Sequence, residues 1–173
     1  PTLFSTNFWT FPVVHLNSGS GNLGGNASAN GAAAEFIADA DKVEIMLLKG
    51  ASTRGVMVEV DGQRVSAASI AWTLPGSTMY ILLTFASRAV RRIRVEFDQY
   101  AGFRGVNVPP TCGVWRPESP DITVAVVGDS ITAQTAATLP NGCFAHSVGK
   151  MLGWTDVRAV GLSDTGYIAA GTA

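Results

Sequence analysis

Hydrophobic and polar positions alternate with a period of two along much of the first two thirds of the chain, the signature of strands with one wet face. Lys42-Val43-Glu44-Ile45-Met46-Leu47 begins in this way, and Arg92-Ile93-Arg94-Val95-Glu96-Phe97 keeps the alternation throughout, with Ile93, Val95 and Phe97 on one face. Val56 to Val60 is β-branched and runs into Asp61-Gly62, the strongest two-residue hairpin signal, so Gln63 to Ser66 is the expected return strand. Tyr80 to Phe85 reads as a further strand. Short strands separated by turn residues, with no convincing helix before residue 110, predict an antiparallel β-sandwich of jelly-roll kind.

The pattern changes after Pro109-Pro110 and again across Arg116-Pro117-Glu118-Ser119-Pro120, a stiff connector. Ile122 to Val127 is a nearly continuous apolar run, as in strands of a parallel sheet buried on both faces, and it ends at Gly128-Asp129-Ser130. Phe144, Val148, Met151 and Leu152 then recur at helical spacing on one side of a helix expected from Asn141 to Leu152, with Gly153 as its stop. Val157 to Val160 is a second strand. Strand, helix, strand is the opening of a doubly wound α/β unit. The expected organisation is a sandwich domain over residues 1–118, with a flexible loop at 17–34, followed by the first part of an α/β domain over 119–173.

The loop expectation rests on the Gly/Asn/Ser/Ala tract from Asn17 to Ala34, which lacks periodicity and contains Asn26-Ala27-Ser28, formally a glycosylation sequon. Charge changes the picture little: 12 basic against 13 acidic residues give a net charge of −1, and the arginines are dispersed. Nucleic acid and an anionic membrane are therefore poor candidates for partners. No apolar run approaches the ~20 residues of a spanning helix. The chain opens at Pro1 without a basic and apolar leader, which fits a signal or tag already removed. Cys112 and Cys143 have neither redox nor zinc spacing; one disulfide or two separate thiols both fit. Asp39, Asp41, Glu44 and Asp61 lack the spacing of a calcium loop.

A serine hydroxyl is a weak nucleophile until its setting positions and deprotonates it. Ser130 lies two residues past a buried strand, at the end where open α/β sheets collect catalytic groups, and Gly128 permits the sharp turn that follows. The segment Val124 to Thr132, VAVVGDSIT, resembles the first sequence block of the SGNH (GDSL) hydrolases, a family of carbohydrate esterases, lipases and thioesterases. The resemblance implies an α/β/α flavodoxin-like domain, Ser130 as nucleophile and its N–H as an oxyanion-hole donor. Ala159 to Tyr167 is similar to the family's glycine-containing second block, which adds Gly161 and Asp164 to the oxyanion hole through their backbones. Asp164 stands where the family has glycine, and a carboxylate there opposes the developing charge unless it turns away.

The family's later blocks, with their asparagine and their D-x-x-H, are not in these 173 residues. The resemblance thus implies an enzyme that continues beyond Ala173, in the same or a separate chain, with this portion inactive alone. Asp129 reads as a turn-stabilising neighbour of the nucleophile. His146 falls beside Lys150 and opposite the apolar stripe, which predicts a solvent-facing side chain without a catalytic role; His15 has less claim still. Trp9, Trp72, Trp115 and Trp154 could supply a sugar-stacking platform, though packing is the more frequent fate of Trp. The expected function is a serine esterase acting through a Ser130 acyl-enzyme, with no cofactor. Its substrate is an ester, by resemblance an acetylated carbohydrate, met by a secreted bacterial or phage-borne enzyme. The alternative is a carbohydrate-binding or virion surface module carrying an idle GDS segment.

Overall fold

The computed structural model describes residues 15–18 (backbone only), 32–49, 55–71, 78–97, 101–118, 122–132, 137–140, 142–154 and 156–161. It is built mostly of antiparallel β-strands, with one α-helix among the described residues. The organising strand is β2 (Ala32–Lys49). Along one edge it pairs with β5 (Thr78–Phe97), Ala32 opposite Phe97 and Leu48 opposite Thr78, with a register shift between Ala40 and Lys42. Along the other edge three strands follow one another: β1 (His15–Ser18), β7 (Gly113–Trp115) and β6 (Ala101–Asn107). Beyond β5 come β3 (Met57–Val60) and β4 (Gln63–Arg64).

All seven strands belong to one hydrogen-bonded network. Among the described residues these strands are not separated into two hydrogen-bonded sheets as expected, because the long β2 pairs with β1, β5, β6 and β7 at once. Its inward positions, Phe36, Val43, Ile45 and Leu47, join Val58, Ile93, Val95 and Val106 in one buried core. Burying apolar surface at ~25 cal/mol per Å² is what holds such a sheet together.

Two expectations change here. Tyr80–Phe85 and Arg92–Phe97 are parts of a single 20-residue strand, because the intervening segment is also extended and its Ala89 to Arg91 pair with β2, the irregularity in register falling just before them. The loop expected over 17–34 is strand at both ends: Asn17 and Ser18 lie in β1, and Ala33 and Ala34 are fully buried in β2. A small side chain fits a crowded sheet even where propensity disfavours it. Residues 19–31, with Asn26, lie outside the described residues.

The hairpin at Asp61-Gly62 is as expected, with φ of 50° and 78° at the two positions, the left-handed pair that a tight two-residue hairpin turn needs. Asp61 Oδ1 accepts a hydrogen bond from the Arg92 N–H at 2.8 Å, tying the turn to β5.

After the connector, β8 (Thr123–Gly128) and β9 (Asp156–Gly161) form a parallel pair, and α1 (Phe144–Met151) lies between them in sequence. The helix begins three residues later than expected. It ends in a paired-bond C-terminal motif: the Gly153 N–H donates to the Lys150 C=O at 3.2 Å and the Trp154 N–H to the Gly149 C=O at 2.8 Å. Gly153 has φ of 72°, which explains the glycine.

The side of α1 that is buried differs from expectation. Ala145, His146 and Gly149 face inward, whereas Phe144, Val148, Met151 and Leu152 are exposed, Met151 at 86%. The reason is close approach: a Cβ on Gly149 would overlap Val157 Cγ2, so the helix seats its small residues on β9 and its large apolar residues point away. The strand β8 is likewise covered on one side only, with Val127 76% exposed. Its expected burial on both faces is not met among the described residues.

Candidate active site

Ser130 sits in the turn that follows β8 and is partly exposed. Two contacts fix this turn. Asp129 Oδ1 accepts a hydrogen bond from the Ile131 N–H at 2.9 Å, so its carboxylate serves the turn, as expected of it. Thr132 is buried at 4% exposure and packs directly over Gly128, where any Cβ would overlap Thr132 Oγ1. The chain can therefore double back at Gly128 only because that residue has no side chain. Sequence alone identifies the glycine; the buried threonine four residues on, which makes it necessary, carries no local signal.

Register brings the second block beside the first. Gly128 pairs with Gly161, so the ends of β8 and β9 lie side by side, at the ~4.8 Å spacing of neighbouring strands. Gly161 is buried at the end of β9. Asp164 and the rest of that loop lie outside the described residues, as do Trp9 and Trp72.

His146 is not at the surface, contrary to expectation: it is 7% exposed, on the inner side of α1. Its Nδ1 stands 3.1 Å from Cys143 Sγ. Burial pushes its pKa down to about 4, with the Arg94 and Lys150 charges acting in the same direction and Glu96 and the Val157 backbone against it. The imidazole is thus neutral at ordinary pH. Its partners are the Cys143 thiol and the Val157 backbone, and the i, i+3 spacing from Cys143 was the signal that could have revealed its packing. Cys112 and Cys143 are separate thiols.

Between the seven-stranded sheet and α1 lies a network of charges. Arg92 Nε donates to Glu35 Oε1 at 2.5 Å, Lys150 Nζ to Glu59 Oε1 at 2.5 Å, and Lys150 Nζ lies 3.2 Å from Glu96 Oε1. Arg94 Nε also donates to Glu96 Oε1, at 3.1 Å. Burial would raise the Glu96 carboxyl, but Arg94 and Lys150 outweigh it and hold it below the usual carboxylate range. No sequence pattern marks these residues, because they come from β2, β3, β5 and α1.

The arrangement of antiparallel sheet, parallel pair and serine turn is a fold shared with esterases and acyltransferases. No protein-family model matches the chain, and no curated protein sequence is similar to it. Solved structures are similar. A family two carbohydrate esterase from Clostridium thermocellum, solved with cellohexaose, superposes with a TM-score of 0.64 at 13% identity, over 88% of this chain and 52% of that one. A salicylyl-acyltransferase of a tetracycline biosynthetic pathway gives 0.62 at 12% identity, over 77% and 40%. A protein described as a GDSL-like lipase, from Bacteroides ovatus, gives 0.59 at 15% identity, over 82% and 46%. At these identities the likeness is one of fold. The chain spans about half the length of these structures.

Proposed function

We propose that this chain is the nucleophile-bearing portion of a serine esterase of SGNH type that acts on esterified, by resemblance acetylated, carbohydrate. The observation that carries the reading is the Gly128–Thr132 turn, which holds a partly exposed serine at the carboxyl end of a parallel strand. This is where open α/β sheets place catalytic groups. Ser130 Oγ attacks the ester carbonyl, the alcohol leaves with a proton, and water hydrolyses the acyl-enzyme. The Ser130 N–H and backbone donors of Gly161 and Asp164 stabilise the oxyanion; one such donor is worth roughly 10²–10³ in rate. No cofactor enters this scheme.

In this reading residues 1–118 form a sandwich-like domain and 119–173 open a flavodoxin-like hydrolase domain of a secreted enzyme. The exposed faces of α1 and β8 support a further segment, in the same or a separate chain, that packs there and supplies the base and its orienting acid. Parallel sheets are stable when both faces are covered. The test is turnover of p-nitrophenyl acetate by the full-length gene product: Ser130→Ala should abolish it. Unchanged turnover in that variant would remove the esterase reading and favour a binding or virion surface module with an idle GDS segment.

A further inference from the structure

The charge network described above borders a cavity of about 320 Å³, lined by Glu35, Glu59, Arg92, Arg94, Lys150 and Trp154, with neutral His146 at its back. That is the low end of the ~300–1,000 Å³ range of small-molecule sites. We infer that this cavity is a binding subsite for one neutral pyranose residue of a polysaccharide, separate from the Ser130 turn.

Four observations carry the inference. First, the cavity is remote from the serine: Val157, in its lining, pairs with Val124, and β8 runs four residues further to Gly128 before the serine turn, ~13 Å of strand at ~3.3 Å per residue. Second, its charges are matched. Glu35, Glu59 and the underlying Glu96 balance Arg92, Arg94 and Lys150, so an ionic ligand of either sign would compete with an existing ion pair.

Third, the polar groups are of both kinds. The side chains of Arg92 and Lys150 are 42% and 38% exposed, and so offer donors at the mouth, beside carboxylates that accept. Those carboxylates belong to Glu35 and Glu59, both in the lining; Glu96 lies beneath them, fully buried. A sugar hydroxyl both donates and accepts, and matches such a wall better than any purely cationic or anionic group. Fourth, Trp154 packs against the small core of α1 and β9 while lining the cavity, which gives the C–H face of a pyranose an aromatic surface.

The test uses the wild-type chain. Its lysines are Lys42, Lys49 and Lys150. Reductive methylation mapped by mass spectrometry should show Lys150 protected at least about threefold by xylohexaose or mannohexaose at ~10 mM, well above a millimolar Kd, with Lys42 labelling unchanged. Arg92→Ala should weaken oligosaccharide binding at least about tenfold by calorimetry, an effect consistent with losing a charged hydrogen-bond donor. Equal Lys150 labelling with and without both sugars would overturn the inference, as would protection by oligogalacturonate alone. The inference is independent of the esterase reading: Ser130→Ala should lose turnover in the full-length gene product and keep Lys150 protection. Loss of that protection in Ser130→Ala would place the sugar at the serine turn and overturn the separate subsite.

Discussion

The sulfur of Cys143, the N-cap residue of α1, lies 3.1 Å from Nδ1 of His146, one turn into the helix, and both residues are buried. When the thiol donates, Nδ1 accepts and the ring proton sits on Nε2, the arrangement of a neutral imidazole.

A pH dependence follows with a definite sign. The unfolded chain binds a proton at His146 below about 6.5, whereas the folded protein does so only near 4, so stability is full above 6.5 and is lost as the pH falls toward 4. Between pH 7 and pH 5 the loss from this residue is about 2 kcal/mol. Urea unfolding across that range should show it, and His146→Asn should flatten the slope. An unchanged slope would mean that the buried ring is not the group responsible.

Gly149→Ala would ordinarily stabilise a helix interior by ~1 kcal/mol. Here the new methyl meets Val157 Cγ2, and overpacking should reverse the sign, to a loss of about 1–3 kcal/mol. Thermal unfolding of Gly149→Ala and of Gly149→Ala with Val157→Ala checks the cause, since the second change removes the colliding group.

Gly128→Ala should act on catalysis rather than on bulk stability. Its methyl collides with Thr132 Oγ1, and the turn must shift. A displacement of ~1 Å at a nucleophile can cost about 10²-fold in kcat. In the proposed complete esterase, p-nitrophenyl acetate turnover should fall by that order in Gly128→Ala and recover in part when Thr132→Ala is added.

Lys150→Met removes one of the two cations that hold the buried Glu96 carboxylate. Arg94 stays beside the carboxylate, so the cost should be smaller than the ~3–5 kcal/mol of a buried charge left wholly unpaired. The cost should be largest at neutral pH and shrink as the pH falls through the carboxylate range, because protonated Glu96 no longer needs the ammonium. Parallel urea titrations of the two proteins at neutral and acid pH would show the difference closing.

What the sequence reveals here is what local rules decide. Asp61-Gly62 must turn, Gly153 must end its helix, and an apolar run that stops at Gly-Asp-Ser must present that serine at a strand end; all three are found in place. The rest depends on partners distant in the chain. The periodicity of Phe144, Val148 and Met151 is real, but which side of α1 faces inward is set by the fit of Gly149 to Val157, which no helical pattern contains. The alanines of β2 look like linker because their burial is imposed by β5, about sixty residues away. The charge network is invisible for the same reason: Glu35, Glu59, Glu96 and Lys150 become neighbours only through the sheet.

The dependence of β2 on distant strands also bears on how the chain acquires its shape. Asp39 finds its bonds on one side at Val90 and on the other at Gly113. No hairpin of neighbours can complete such a strand, and contacts of wide sequence separation slow the search. During synthesis β2 leaves the ribosome with only its first residues able to pair, with β1, and the rest of its edges stay open until β5 and then the chain near Trp115 have emerged, an interval in which a chaperone would have most to protect.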